Sequence, residues 1–287
     1  MRNGSALQQD WSYGAACEAL GSTVLRAEIR DAGGRIGALQ LIHRPILRVL
    51  HVAVGTRGPI WQGEISPDRT AKAMQALAKT LPLPNWRGLF VTPECPDPTP
   101  LRATGFQRVM TPYATVTLNL TQTADQLRKN MHQKWRNRLV VAENSGLTIH
   151  RADARPEQYL WLLDVEEAQQ TRMRYRALPT ALVPAWQGSG GQVRVYTAND
   201  GASVVAAMLF LLHGNRATYH IGYNSDEGRH LSAHNLLLWT AIGRLPKAGI
   251  KTLDLGGLNT QESPGVARFK LGTGGTVQTL CGTWFSR

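Results

Sequence analysis

The stretch Gly265-Val266-Ala267-Arg268-Phe269-Lys270-Leu271-Gly272-Thr273-Gly274-Gly275 places a cation and an aromatic ring among four glycines. Amine attack on an ester or thioester passes through a tetrahedral oxyanion, so a site for it needs a positive group held where that charge develops. Lys270 is the candidate, because Gly265 and the Gly272–Gly275 turn leave room for close backbone approach beside it. Phe269 would wall the pocket and exclude water. The alternative is an ordinary surface lysine before a glycine-rich turn. Asp254 interrupts the apolar run Leu253–Leu255 just before Gly256-Gly257. It either orients an incoming amine or bonds the amides of that turn. His230 and His234 have the i, i+4 spacing of paired metal ligands, but no third ligand accompanies them and no metal is expected. No serine lies in G-x-S-x-G, and Cys17, Cys95 and Cys281 form no C-x-x-C pair. Hydrolase triads, zinc sites and a disulfide framework therefore have no support.

Positioning such residues takes a layered core. With 287 residues, 43% hydrophobic and 18% charged, the chain is long enough for two domains and too apolar for disorder. The proline-dense Thr92–Pro100 reads as a loop, and the expected division is 1–115 and 116–287. In the first part, Val24–Ile29, Arg35–His43, Val49–Ala53 and Leu89–Thr92 read as strands and Pro67–Leu81 as a helix. In the second, Val116, Leu118 and Leu120 alternate on one strand face. A helix then runs from the capping box of Thr123 and Gln126 to the Gly146 stop, with Leu127, Met131, Trp135, Leu139 and Ala142 as its inner stripe. Another starts at Pro156 and ends near Arg172. Strands at Gln192–Ala198, Val204–Leu212 and Arg216–Gly222 follow, then a helix over Ser232–Ala248 and a strand at Lys251–Leu255. The order predicts an α/β or α+β fold with a central mixed sheet in each of two halves.

Charge points to an anionic partner. There are 32 basic and 20 acidic residues, a net charge of +12, and 25 of the basic residues are arginines, whose planar fork suits phosphate. Five of them, Arg128, Lys129, Lys134, Arg136 and Arg138, fall within eleven residues flanking the inner stripe. They repel one another unless something negative compensates; the plainer reading is a solvated helix face. No run reaches the ~18 apolar residues of a membrane span, and residues 1–10 lack the apolar core of a secretory signal. A cytoplasmic protein is expected.

Four stretches resemble the FemA/FemB/FemX-type aminoacyltransferases, a family of paired N-acetyltransferase-like (GNAT) domains. They are Lys134-Trp135-Arg136-Asn137-Arg138 with Ala142-Glu143; Tyr219–Gly222 through Asn235–Trp239; the D-x-G-G turn at Asp254–Gly257; and G-x-x-x-F-K-x-G at Gly265–Gly272. Trp11–Gly14 and Gly58–Trp61 are similar to N-terminal signatures of the family. The resemblance implies two GNAT domains, transfer of an aminoacyl group from aminoacyl-tRNA onto an amine, and a lysine at the F-K pair important for transfer. The acceptor would be a peptide, a small molecule or a cell-envelope precursor. The long helical-hairpin insertion of many members has no candidate segment here.

The donor is a substrate, with no bound cofactor expected. Acetyl-CoA enzymes of the superfold carry Q/R-x-x-G-x-G/A at the turn into a helix, where bare amides hold the pyrophosphate. Here Arg229-His230-Leu231-Ser232-Ala233-His234 keeps the first position but replaces both glycine positions, which favours tRNA over acyl-CoA as donor. Arg229 and Arg268 join the five basic residues of the helix as candidates for the donor's phosphates. A non-catalytic tRNA-binding module would keep those residues and lose the F-K pair, which is intact.

Overall fold

The computed structural model describes residues 4–46, 50–82, 87–95, 97–152, 155–173, 175 and 177–287. Val49, the expected start of the third strand, and Pro96 of the proline-rich loop lie outside the described residues, as do residues 1–3. In chain order the elements are α1 (Trp11–Ala19), β1 (Thr23–Asp31), β2 (Gly34–Ile46), β3 (Leu50–Thr56), β4 (Ile60–Trp61), α2 (Pro67–Thr80), β5 (Arg87–Thr92), α3 (Thr99–Arg102) and β6 (Gln107–Met110). These are followed by β7 (Ala114–Asn119), α4 (Ala124–Asn130), α5 (Gln133–Glu143), β8 (Thr148–Ala152), α6 (Leu160–Met173), α7 (Leu182–Gly188), β9 (Gln192–Asp200), β10 (Ser203–His213) and β11 (Arg216–Asn224). The chain ends with α8 (Asp226–His230), α9 (Ala233–Arg244), β12 (Thr252–Gly257), α10 (Pro264–Gly272), β13 (Thr276–Thr279) and β14 (Thr283–Ser286).

These elements form two compact units, each a mixed sheet with helices against it. One runs to Ala114 and takes back Gln278–Arg287; the other is Thr115–Val277. The expected assignment of the last ten residues to the second half is thus corrected. β14 inserts between β5 and β6, and Trp284 is buried in the first core beside Leu89, Val91 and Phe106. The first sheet has the order β1-β2-β3-β5-β14-β6, with β4 beside β2, and is antiparallel except for β3 against β5. In its core Cys95 Sγ and Cys281 Sγ lie 3.9 Å apart, a neighbourhood that cysteines 186 positions apart in sequence could not announce.

The second sheet has the order β13-β7-β12-β11-β10-β9-β8. β10 is central, and Val205–His213 are all buried, as its continuous apolar run requires. α9 covers β9 and β10 and packs on α5, with Leu237, Leu238, Ala241 and Ile242 facing in. α5 and α9 bury Trp135, Leu139 and Ala142 between them and the sheet. Among the described residues no helix is long and apolar enough to cross a membrane.

The helix expected from Thr123 to Gly146 is broken. Met131 and His132 are extended (ψ 146° and 145°), splitting it into α4 and α5. No proline or glycine causes this; the break is held by bonds that a continuous helix would forbid. His132 N–H donates to Gly272 O at 3.0 Å, and Arg136 donates to the carbonyls of Lys129 and Met131, capping the end of α4.

Candidate active site

The site is built where two parallel strands part. β11 pairs with β12 only over Arg216–Thr218 against Thr252–Asp254, although β11 runs on to Asn224 and β12 to Gly257. Beyond Thr218 the facing edges no longer bond each other. On its other edge β11 stays paired to β10, with a bulge that skips His220 between Tyr219 and Ile221. Diverging strands leave a cleft with backbone donors and acceptors along its sides, and ligands in open sheets settle in such crevices.

The segment from Gly265 to Gly272, which reads as a glycine-rich cradle in the sequence, is helical and forms most of α10. Gly265 faces open space, whereas Gly272 and, beyond the helix, Gly274 serve packing. A Cβ on Gly272 would lie 2.7 Å from Trp135 Cδ1, and Gly274, at φ 72°, passes directly over the Asn130 carbonyl. Trp135 Nε1 donates to Phe269 O at 3.1 Å and its ring lies 5.8 Å from that of Phe269, so α5 fixes the aromatic wall. Lys270 is buried, and its Nζ donates to Gly257 O at 2.8 Å, beside the Gly256 turn that ends β12. Burial lowers its pKa, opposed by the charge of Asp254. Asp254, 1% exposed, accepts the Gly256 amide at 2.7 Å. Of its two expected uses, the structure displays the turn-bonding one, combined with charge balance toward Lys270.

Two cavities meet at Phe269. One, ≈ 490 Å³, is lined by His132, Lys134, Trp135, Arg268 and Gly272; the other, ≈ 700 Å³, by Tyr219, Gln169, Gly222, Asn224, Arg229 and His234 among others. Both are bounded by Arg138, Asn235, Gly265 and Phe269, and among the described residues no carboxylate lines either. Lys270 lines neither. In the second cavity the Tyr219 hydroxyl lies against Gly222, where any side chain would displace it. His234 Nε2 bonds Tyr223 O at 2.7 Å and its ring sits 6.0 Å from Phe269, filling the space that a glycine there would leave open. Burial lowers the His234 pKa to about 4, so the ring is neutral and Nε2–H is the donor.

The basic candidates divide. Lys134, Arg138 and Arg268 are exposed at the first cavity. Arg229 lines the second and pairs with Asp226, while Lys129 is exposed and lines neither. Arg128 and Arg136 have internal duties. Arg128 bonds both oxygens of Glu143 at 2.7 Å and covers the Trp239 ring at 5.6 Å, and Arg136 caps α4. His230 and His234 do not share a helix, because Ser232 in the left-handed region separates α8 from α9, and no metal-binding cluster occurs among the described residues. Sequence reading passed over Tyr219, Gln169 and Asn235. Only Asn235 leaves a trace, as a polar residue on the buried side of an apolar helix.

The sequence profile of the acetyltransferase (GNAT) domain family matches residues 126–271, which hold every residue lining the two cavities except Gly272. The chain belongs to this family. No curated protein matches the sequence. Among solved structures this GNAT protein has the fold of FemX, with TM-score 0.80 and 13% identity, covering 99% of this chain and 92% of that one. It is also similar to the C-terminal domain of a putative lysylphosphatidylglycerol synthetase from Agrobacterium fabrum (TM-score 0.59, 12% identity, 97% and 88% covered). A third is a tandem GNAT protein from the clavulanic acid biosynthesis pathway (TM-score 0.55, 15% identity, 92% and 83% covered). The protein is a GNAT acyltransferase, and it takes an acyl donor as substrate.

Proposed function

We propose that the protein transfers an aminoacyl group from aminoacyl-tRNA to an amine, forming an amide bond. The observation that carries this is the pair of cavities that meet at Phe269, the first lined by Lys134, Arg138 and Arg268 and the second, which reaches β11, lined by Tyr219, Gln169, Asn224 and His234 with Arg229 beside them. Lys134, Arg138 and Arg268 suit the phosphates of a nucleic-acid end, and the second cavity suits the acyl group. The side chain of His234 stands where coenzyme A donors need bare amides, which supports tRNA as the donor. The likeness to FemX, to the C-terminal domain of the putative lysylphosphatidylglycerol synthetase and to L-PGS from Bacillus licheniformis supports amino-acid transfer.

In the reaction the acceptor nitrogen bonds to the acyl carbon, the ester C–O bond to the ribose breaks, and the amine proton passes to the leaving oxygen. Phe269 keeps water from the ester. Lys270, one residue behind that wall, exchanges Gly257 O for the tetrahedral oxyanion, while Asp254 keeps it charged and holds the Gly256 turn. The acceptor is a peptide, a small molecule or a cell-envelope precursor bearing a free amine, and the reaction belongs in the cytoplasm, where charged tRNA is made. The test is transfer from a charged tRNA pool with and without ribonuclease. Lys270→Met should lower kcat about 10²–10³-fold with the fold intact. Full turnover with acyl-CoA and none with tRNA overturns the donor; an unchanged rate in K270M overturns the lysine.

A further inference from the structure

We infer that Asn235 binds the acyl donor directly, giving its side-chain amide to an acceptor oxygen of the donor, carbonyl or phosphate. Asn235 is 5% exposed and lines both cavities, so it stands at the passage between the basic side and the acyl side. Its backbone N–H closes the turn from Ser232 O, but its side-chain amide makes no hydrogen bond among the described residues, and Nδ2 is buried without a partner. A buried amide in that state costs free energy that an ordinary core position would have removed by an apolar residue. The neighbouring residues of α9, Leu237, Leu238, Ala241 and Ile242, are apolar for that reason. Oδ1 is not among the buried atoms without a partner, so it is the amide atom nearer the cavities, and a half-turn about χ2 would put Nδ2 in its place for a donor oxygen to hold. Among the described residues no carboxylate lines either cavity, although the charge of buried Glu166 acts on Tyr219 at the second. Lys270 acts on the tetrahedral oxygen and governs kcat; Asn235 contacts the donor before and during reaction and governs its affinity.

This inference rests on the donor lying across the two cavities, as proposed above, but on its oxygen and not on its being tRNA. The experiment compares the full-length protein with N235A and N235D, measuring KM and kcat for the donor from pH 5.5 to 8.5. Charged tRNA and acetyl-CoA are offered separately. At pH 8, N235A should raise donor KM about 10-fold and N235D about 100-fold, with kcat within about threefold, because the carboxylate offers no donor and repels the oxygen. As pH falls, N235D should regain affinity about 10-fold, since burial raises the pKa of the new carboxyl and its protonated form can donate again; a packing defect would not recover this way. The melting temperature of N235A should stay within about 2 °C, because the free protein loses no hydrogen bond. Uncharged tRNA as a competitor separates the sources: inhibition weakened equally in N235D assigns the oxygen to phosphate or ribose, and inhibition unaltered assigns it to the acyl carbonyl. Should N235D fail to fold, N235S takes its place, with a KM between wild type and N235A expected. Unchanged donor KM in these variants overturns the inference. Turnover with acetyl-CoA alone overturns the tRNA reading and leaves Asn235 to be judged on acetyl-CoA; no turnover with either donor overturns both.

Discussion

The division of basic residues gives a quantitative prediction for tRNA binding. Leaving aside Arg229, which lines the second cavity and pairs with Asp226, the sequence candidates Arg128, Lys129, Lys134, Arg136, Arg138 and Arg268 would offer six cations to phosphate. In the structure Arg128 is committed to Glu143 and Arg136 to backbone carbonyls and Lys129 lines neither cavity, whereas Lys134, Arg138 and Arg268 line the first, Arg138 reaching the second as well. Each phosphate neutralised on a single strand contributes about −0.7 to the slope of log K against log salt. Three contacts give a slope near −2 and about a 20-fold loss of affinity between 50 and 200 mM salt, while six would give a slope near −4 and a loss of about 300-fold. Lys134→Gln should bring the slope to about −1.4. Arg128→Gln and Arg136→Gln should leave it where it is, though R136Q should cost stability by uncapping α4. Fluorescence anisotropy of end-labelled tRNA over a salt series reads this directly, with circular dichroism confirming that each variant folds. A slope near −4, or one that falls as much in R128Q and R136Q as in K134Q, would refute the assignment of the cations to this cavity.

Other expected outcomes follow from single contacts. Lys270 has a lowered pKa, so an oxyanion role requires activity to fall with rising pH before an ordinary lysine would lose its proton; Lys270→Arg should move that alkaline limb upward and Asp254→Asn downward, read from kcat against pH. Gly272→Ala puts a methyl 2.7 Å from Trp135 Cδ1, and overpacking of about 1–3 kcal/mol should exceed the ~1 kcal/mol gained in helix propensity, lowering the melting temperature and, through Phe269 O, the rate. His220 and His234 are both held to about 4 by burial, below the 6.5 of the unfolded chain. Between those values the unfolded state takes up protons that the fold refuses, so stability should fall as pH drops from about 6.5 to 4. His234→Gln keeps a donor for Tyr223 O without titrating, and urea midpoints should then show a weaker acid loss; an unchanged pH dependence would remove His234 from the account.

The mixed α/β layering was legible because it rests on strong periodic signals. Val116, Leu118 and Leu120 alternate and are buried, and the apolar run of β10 is buried on both faces. The break between α4 and α5 was not legible, because nothing local encodes it. Leu127, Met131, Trp135 and Leu139 keep their spacing through it, and what bends the chain is Gly272 O, more than 130 residues away in sequence. The C-terminal strand was misassigned for a similar reason, since its partners β5 and β6 come from the other half of the chain.

The glycines around Lys270 show how a motif can be seen correctly and read wrongly. Close approach was the right inference from Gly272 and Gly274, but the approaching groups are Trp135 and the Asn130 carbonyl, not a ligand. Those contacts seat α10 on α4 and α5, set Phe269 between the cavities, and turn Lys270 toward Gly257. A glycine pattern records that something must come near and not what it is. Likewise a row of cations records net charge but not which members are already paired, and Arg128 and Arg136 are paired. The residues that carry most information about a ligand are therefore those the fold leaves incomplete. Asn235 is one, a buried amide in an apolar helix whose Nδ2 finds no partner among the described residues.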